Sequence, residues 1–153
     1  MTQDSVITQQ MRTAIGVESR PVNFDVEKGA IIKFAEAIGD TNPLFTDEET
    51  ARKSRYGGLI APPTFLRSMR SEAMETPVNS PYAANLDGGS QWEYLEPVRV
   101  GDKISVTVKI ADIFEREGRL GNMLFIIGET RYTNQFGNLV ALQHTTNISY
   151  DPS

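Results

Sequence analysis

The most regular pattern in the chain is an alternation of apolar and polar positions in its second half. Ile104, Val106, Val108 and Ile110 occupy every other position of the run 103–114, which puts them on one face of a β-strand. Turn-forming residues at 115–118 and 135–138 separate this run from two further strands, 120–134 and 139–150. Three long antiparallel strands in succession make a meander. Shorter strands are expected at 21–26, where Val22, Phe24 and Val26 alternate with polar neighbours, and at 91–95.

The first half changes period. Ile31, Phe34, Ala35 and Ile38 recur at helical spacing, so the helix 29–38 has one buried face. Gly39 stands where a left-handed C-cap belongs. Upstream, Val6, Met11 and Ile15 suggest a lead-in helix ending near Gly16. Downstream, Asp40-Thr41-Asn42-Pro43 is turn chemistry, and Thr46 with Glu49 has the spacing of a capping box that starts a helix reaching about residue 54. Tyr56-Gly57-Gly58 ends it, and Pro62-Pro63 leads into a second helix, 64–74, with Phe65, Leu66 and Met69 as apolar positions. Residues 75–90, rich in Pro, Asn, Ser and Gly, read as a loop folding over a site.

These elements predict an α+β fold in a single domain, 1–153, with 1–14 as a flexible lead-in. An antiparallel sheet curls around one long central helix, 29–38. Such a sheet leaves an exposed edge, which favours pairing with another subunit.

Composition narrows the function. With 153 residues, 39% hydrophobic and 23% charged, the chain can build its own core. It lacks an apolar signal segment and any run of about 18 apolar residues, so no membrane association and a cytoplasmic location are expected. The formal net charge of −5 argues against a nucleic-acid partner. There is no cysteine and one histidine, His144, so thiolate and histidine-rich metal sites are excluded and no metal is expected.

The stretch FAEAIGDTNPLFTDEETARKSRYGGLIAPPTF, from Phe34 to Phe65, resembles the signature of MaoC-type dehydratases and (R)-specific enoyl-CoA hydratases. IGVESRPVNFDVEKG, QWEYLEPVRVGDKISV and RYTNQFGNLVA resemble the N-terminal-type, FAS1-like dehydratase domain of that superfamily. The resemblance covers about residues 15–150. It implies a hotdog fold and water addition to, or removal from, the α,β double bond of an acyl thioester. Coenzyme A thioesters then enter as substrate, and no further cofactor is implied.

The family motif places a catalytic Asp after the glycine that ends the hotdog helix and a His five residues later. Here the Asp is Asp40 and the His position is Phe45. A missing general acid or base typically forfeits about 10²–10⁴-fold in rate, and phenylalanine can be neither. In active members a backbone N–H after the small-residue run helps hold the thioester oxygen. The matching residues here are Pro62 and Pro63, and proline has no N–H to give. Losing an oxyanion donor typically costs on the order of 10²–10³ in rate. Heteromeric dehydratases of fatty-acyl and steroid side-chain metabolism show this division. One hotdog subunit keeps Asp and His, while its partner carries a degenerate motif and shapes the acyl pocket.

The expected site therefore comprises Asp40 as the retained catalytic position. Asn42, Phe45, Tyr56, Gly58, Ile60, Ala61, Pro63 and Thr64 form its substrate-binding surroundings. Each has a plainer reading: Asp40 as a turn residue, Asn42 as a brace, Phe45 and Tyr56 as packing. Arg52, Lys53 and Arg55 are either a solvated helix face or a contact for coenzyme A phosphates. His144, Trp92 and Phe65 read as sheet and core residues.

Three functions fit. The first is the acyl-pocket subunit of a heteromeric hydratase, with acyl-CoA or acyl-ACP as substrate and a second hotdog subunit supplying an intact Asp/His motif. The second is a self-dimer acting as an autonomous hydratase through Asp40, with Glu36 or Glu48 as the other proton carrier. The third is a non-catalytic acyl-CoA-binding protein.

Overall fold

A computed structural model describes residues 4–74 and 78–152. In chain order the elements are α1 (Gln9–Ala14), β1 (Val22–Asp25), α2 (Lys28–Ala37), α3 (Pro43–Thr46) and α4 (Glu48–Lys53). Two 3₁₀ segments, Pro63–Ser68 and Glu72–Met74, come next. Strands β2 (Ala84–Tyr94), β3 (Lys103–Gly118), β4 (Gly121–Thr133) and β5 (Leu139–Tyr150) complete the chain. The strands form one antiparallel sheet in the order β1-β3-β4-β5-β2. Its concave face closes on α2, which is the hotdog arrangement.

The core follows the two periodicities. Ile31 and Ala35, one turn apart on α2, are fully buried against Ile104, Val106, Val140 and Ala141 of the sheet. Phe34 meets Phe65 edge-to-face at 5.5 Å. Ile38, expected on the same buried face, is 49% exposed because the helix has ended and the chain turns outward at Gly39, whose φ is +71°. A second apolar cluster gathers Met11 of α1 with Ile110, Ile113 and Leu124.

Several sequence expectations need correction. The strand placed at 91–95 begins seven residues earlier: β2 is in register with β5 from Ala84↔Tyr150, with a bulge between Asp87 and Gly89. Asn85, Asp87, Gly88, Gly89 and Ser90 read as loop because they are turn formers, yet pairing along β5 holds them extended. The loop expected at 75–90 thus survives only before β2, and residues 75–77 lie outside the described residues. The helix expected over 64–74 is two short 3₁₀ turns joined by an irregular link, although Phe65, Leu66 and Met69 are buried as anticipated. Thr46 is not the cap of α4. It ends α3, and Asp47 caps α4 by accepting from the Glu49 and Thr50 N–H groups.

Candidate functional site

The segment after α2 is a chain of side-chain-to-backbone turns. The Gly39 and Asp40 N–H groups donate to the Glu36 and Ala35 carbonyls, closing the helix end. Asp40 Oδ1 then accepts from the Asn42 N–H at 3.0 Å, and Asn42 Oδ1 accepts from the Leu44 N–H at 3.0 Å, capping α3. Both side chains are therefore engaged in bending the backbone. Phe45 follows on α3 and is 7% exposed, part of the main core.

The run 57–61 is stitched to the segment before β3. The Val100 N–H donates to Leu59 O, the Ala61 N–H to Val98 O and the Ile60 N–H to Leu44 O. Pro62 and Pro63 have no N–H. Residues 60–63 therefore present no free amide to a ligand, which extends the sequence argument from one donor to four consecutive positions.

Between these segments lies a cleft of about 310 Å³. Phe45, Tyr56, Ile60, Ala61, Pro62, Pro63 and Leu66 form one wall, and residues 94–98 the other. Five of the expected site residues meet here: Phe45, Tyr56, Ile60, Ala61 and Pro63. Asp40, Asn42, Gly58 and Thr64 do not line it. Sequence reasoning missed Leu66 and the wall from Tyr94 to Val98. The one local signal was Pro97, which opens the turn after the strand expected at 91–95, but its approach to the cleft depends on the sheet closing.

Tyr56 is held from two sides. The Arg55 guanidinium lies 4.8 Å from its ring centroid and that of Arg99 5.8 Å, while Arg55 Nη2 donates to the phenol oxygen at 2.6 Å and Arg99 Nη1 to the Tyr56 carbonyl. Arg99 had no sequence signal of its own. The basic cluster expected at 52–55 thus divides. Arg52 and Lys53 pair with Glu48 and Glu49 along exposed α4, whereas Arg55 turns to Tyr56.

Glu48, one of the alternative proton carriers, is tied to Lys28 at 2.6 Å and to Arg52 at 2.8 Å. The Lys28 hydrogen bond is the leading influence holding its carboxyl below the usual range. His144 lies on the outer face of the sheet, opposite in register to Glu129, and its Nε2 is 3.2 Å from Glu129 Oε1. Lys109 Nζ is 3.0 Å from the other oxygen of that carboxylate. Burial raises the Glu129 pKa, but Lys109 and His144 together outweigh it and hold the carboxyl below its ordinary value. Among the described residues no group of three or more His, Cys, Asp or Glu side chains is placed to hold a metal, and no helix is long and apolar enough to cross a membrane.

A second cleft, of about 470 Å³, lies under the 3₁₀ segments. Arg67, Met69, Arg70 and Met74 roof it, and Val108, Thr130, Tyr132, Gln143 and Thr145 of the sheet form its floor. Burial pushes the Tyr132 hydroxyl up to about 12.

A five-stranded antiparallel sheet curled on one helix defines the hotdog class of fold. The chain matches the family model described as FAS1-like, dehydratase domain region over residues 13–143, and it belongs to that family. A Streptomyces avermitilis protein, UPF0336 protein, is 38% identical over 95 residues, which cover 59% of this chain and 63% of that protein. A probable enoyl-CoA hydratase alpha subunit of Thermomonospora curvata is 29% identical over 150 residues, covering 86% of this chain and 46% of that one. This chain thus spans less than two thirds of either relative. Among solved structures, a chain of the C-terminally truncated HadBC (3R-hydroxyacyl-ACP dehydratase) complex of Mycobacterium tuberculosis superposes with a TM-score of 0.73. Its identity is 26%, over 89% of this chain and 97% of that one.

Proposed function

We propose that this chain is the acyl-pocket subunit of a heteromeric enoyl-thioester hydratase or (3R)-hydroxyacyl dehydratase, whose Asp/His pair sits on a second hotdog chain. The observation that carries this reading is the state of residues 45 and 60–63. Phe45 fills its position as core, the Ile60 and Ala61 amides are already bonded, and Pro62 and Pro63 have none. A proton carrier and an oxyanion donor must then come from elsewhere. In this reading Asp40 shapes the turn that presents Phe45, and Phe45, Tyr56, Ile60, Ala61 and Pro63 form an apolar wall beside the thioester of an acyl-CoA or acyl-ACP. Asn42, Gly58 and Thr64 support that wall without touching substrate. The free edge of β2, eleven residues long, is the natural seam for the second subunit. The partnered relative HadBC lends the same support by analogy.

The test is hydration of crotonyl-CoA by the pure chain and by the chain co-purified with a hotdog protein that carries an intact Asp…His motif. Background rates alone and turnover in the complex are expected. Robust turnover by the pure chain overturns the proposal.

A further inference from the structure

The concave face of the sheet is apolar at its two ends and polar between them. At one end Ile104, Val106 and Val140 pack under α2; at the other, Ile110, Ile113 and Leu124 pack with Met11. Between these clusters Thr130 and Gln143 face one another in register across β4 and β5, and both are buried. Ser90 and Thr145, partners across β2 and β5, continue the band. Positions enclosed between two apolar clusters ordinarily carry apolar side chains. Here Thr130, Gln143 and Thr145, with Val108 and Tyr132, form the floor of the 470 Å³ cleft.

Hydrogen bonding on that floor is incomplete. Gln143 Nε2 donates to Ser90 Oγ at 3.2 Å. The Tyr132 hydroxyl, on a side chain only 3% exposed, reaches Gln143 Oε1 at 3.5 Å, the outer limit of a hydrogen bond. A buried hydroxyl held this loosely, beside a glutamine oxygen with no nearer donor among the described residues, gains from a better partner. The floor is also neutral: the charged groups at this cleft, Arg67, Arg70 and Glu72, are on the roof and exposed.

The two clefts share no lining residue but are neighbours along one 3₁₀ segment and one aromatic row. Leu66 lines the first and Arg67 the second, so they flank the same 3₁₀ turn. Tyr94 lines the first and Tyr132 the second, and Trp92 stacks on both. The row Tyr94–Trp92–Tyr132 thus spans the distance between the two clefts, and a ligand anchored beside Phe45 and Pro63 would pass it to reach the second.

We propose that the second cleft receives the distal part of an acyl group bearing a neutral oxygen function, a hydroxyl or a ketone, remote from the thioester, with Tyr132 and Gln143 as its hydrogen-bonding partners. The proposal rests on the acyl-thioester reading above and adds the class of acyl group. An unsubstituted alkyl chain would cover Thr130, Tyr132 and Gln143 while offering no partner beyond the weak contact that Tyr132 and Gln143 already make. Sites built to hydrogen-bond a ligand discriminate strongly against the analogue that lacks the group.

Trp92 is the sole tryptophan and touches Tyr132, so its emission reports occupancy. The full chain is titrated with decanoyl-CoA and with decanoyl-CoAs hydroxylated at mid-chain and at the terminus. At least one hydroxylated ester is expected to bind about tenfold more tightly than decanoyl-CoA, roughly the worth of one added hydrogen bond. Gln143→Leu and Tyr132→Phe should each bring that ratio towards one. Where Tyr132→Phe fails to fold by circular dichroism, Gln143→Leu decides. Equal affinity for all esters, as in a cleft that merely holds water, overturns this inference and leaves the acyl-thioester reading standing. Binding of no acyl-CoA at all overturns both.

Discussion

Trp92 and Tyr132 stack with ring centroids 5.6 Å apart, and Trp92 stacks on Tyr94 at the same separation. Tyr94 and Tyr132 are both register partners of Ala141, on either side of β5. The small side chain at that buried position leaves room for both tyrosine rings. Ala141→Leu is expected to overpack the row and cost about 1–3 kcal/mol. Urea denaturation measures this, and an unchanged midpoint would show the rings have slack.

Phe45→His restores the family's histidine on paper. Because residue 45 is buried and residues 60–63 offer no amide, no hydratase activity is expected from the pure variant. An imidazole without a partner there should lower stability by about 1–3 kcal/mol. Crotonyl-CoA assays and denaturation of the same preparation check both parts.

Tyr132 makes stability fall in alkali. Its folded pKa is raised from 10.0 to about 12 by burial, so the neutral hydroxyl is the favoured folded form. Its stabilising contribution is fully present below pH 10 and is lost as the pH rises towards 12. The change amounts to roughly 3 kcal/mol at about 1.4 kcal/mol per pKa unit. Melting temperatures across that range should drop steeply in the parent and less in Tyr132→Phe.

Glu129 acts in the opposite direction. Its folded pKa lies below its ordinary 4.5, because Lys109 and His144 outweigh the burial that would raise it. Its contribution is present above that value and disappears as the pH falls through the lower folded one. A scan of melting temperature from neutral to acid should show a shallower acid limb in Glu129→Gln; an identical limb would remove the pair from the account.

The cap of α4 separates two readings of one sequence pattern. Asp47→Ala should lower the melting temperature more than Thr46→Ala. Asp47 accepts two helix N–H groups and the Thr50 hydroxyl, whereas Thr46 donates only to the Asn42 carbonyl.

Local pattern was enough wherever one face of an element is buried. The period-two run into Ile110 and the final strand 139–150 emerge as expected, since a strand with an apolar face has only one register that buries it. Gly39 was equally legible, because the left-handed turn after α2 needs a residue without a side-chain clash. Phe45 and the two prolines pointed to missing chemical groups only through the resemblance of their motif to the MaoC-type family, which says what stands at those positions in active members.

Tertiary structure decided the rest. The first half of β2 carries turn-forming residues and becomes strand only through its pairing with β5. The Ile60 and Ala61 amides are lost to Leu44 and Val98, partners 16 and 37 residues away. The wall from Tyr94 to Val98, the approach of Arg99 to Tyr56, and the polar band of Thr130 and Gln143 arise from sheet closure. Each joins residues far apart in sequence, and such contacts leave no periodic trace in the chain.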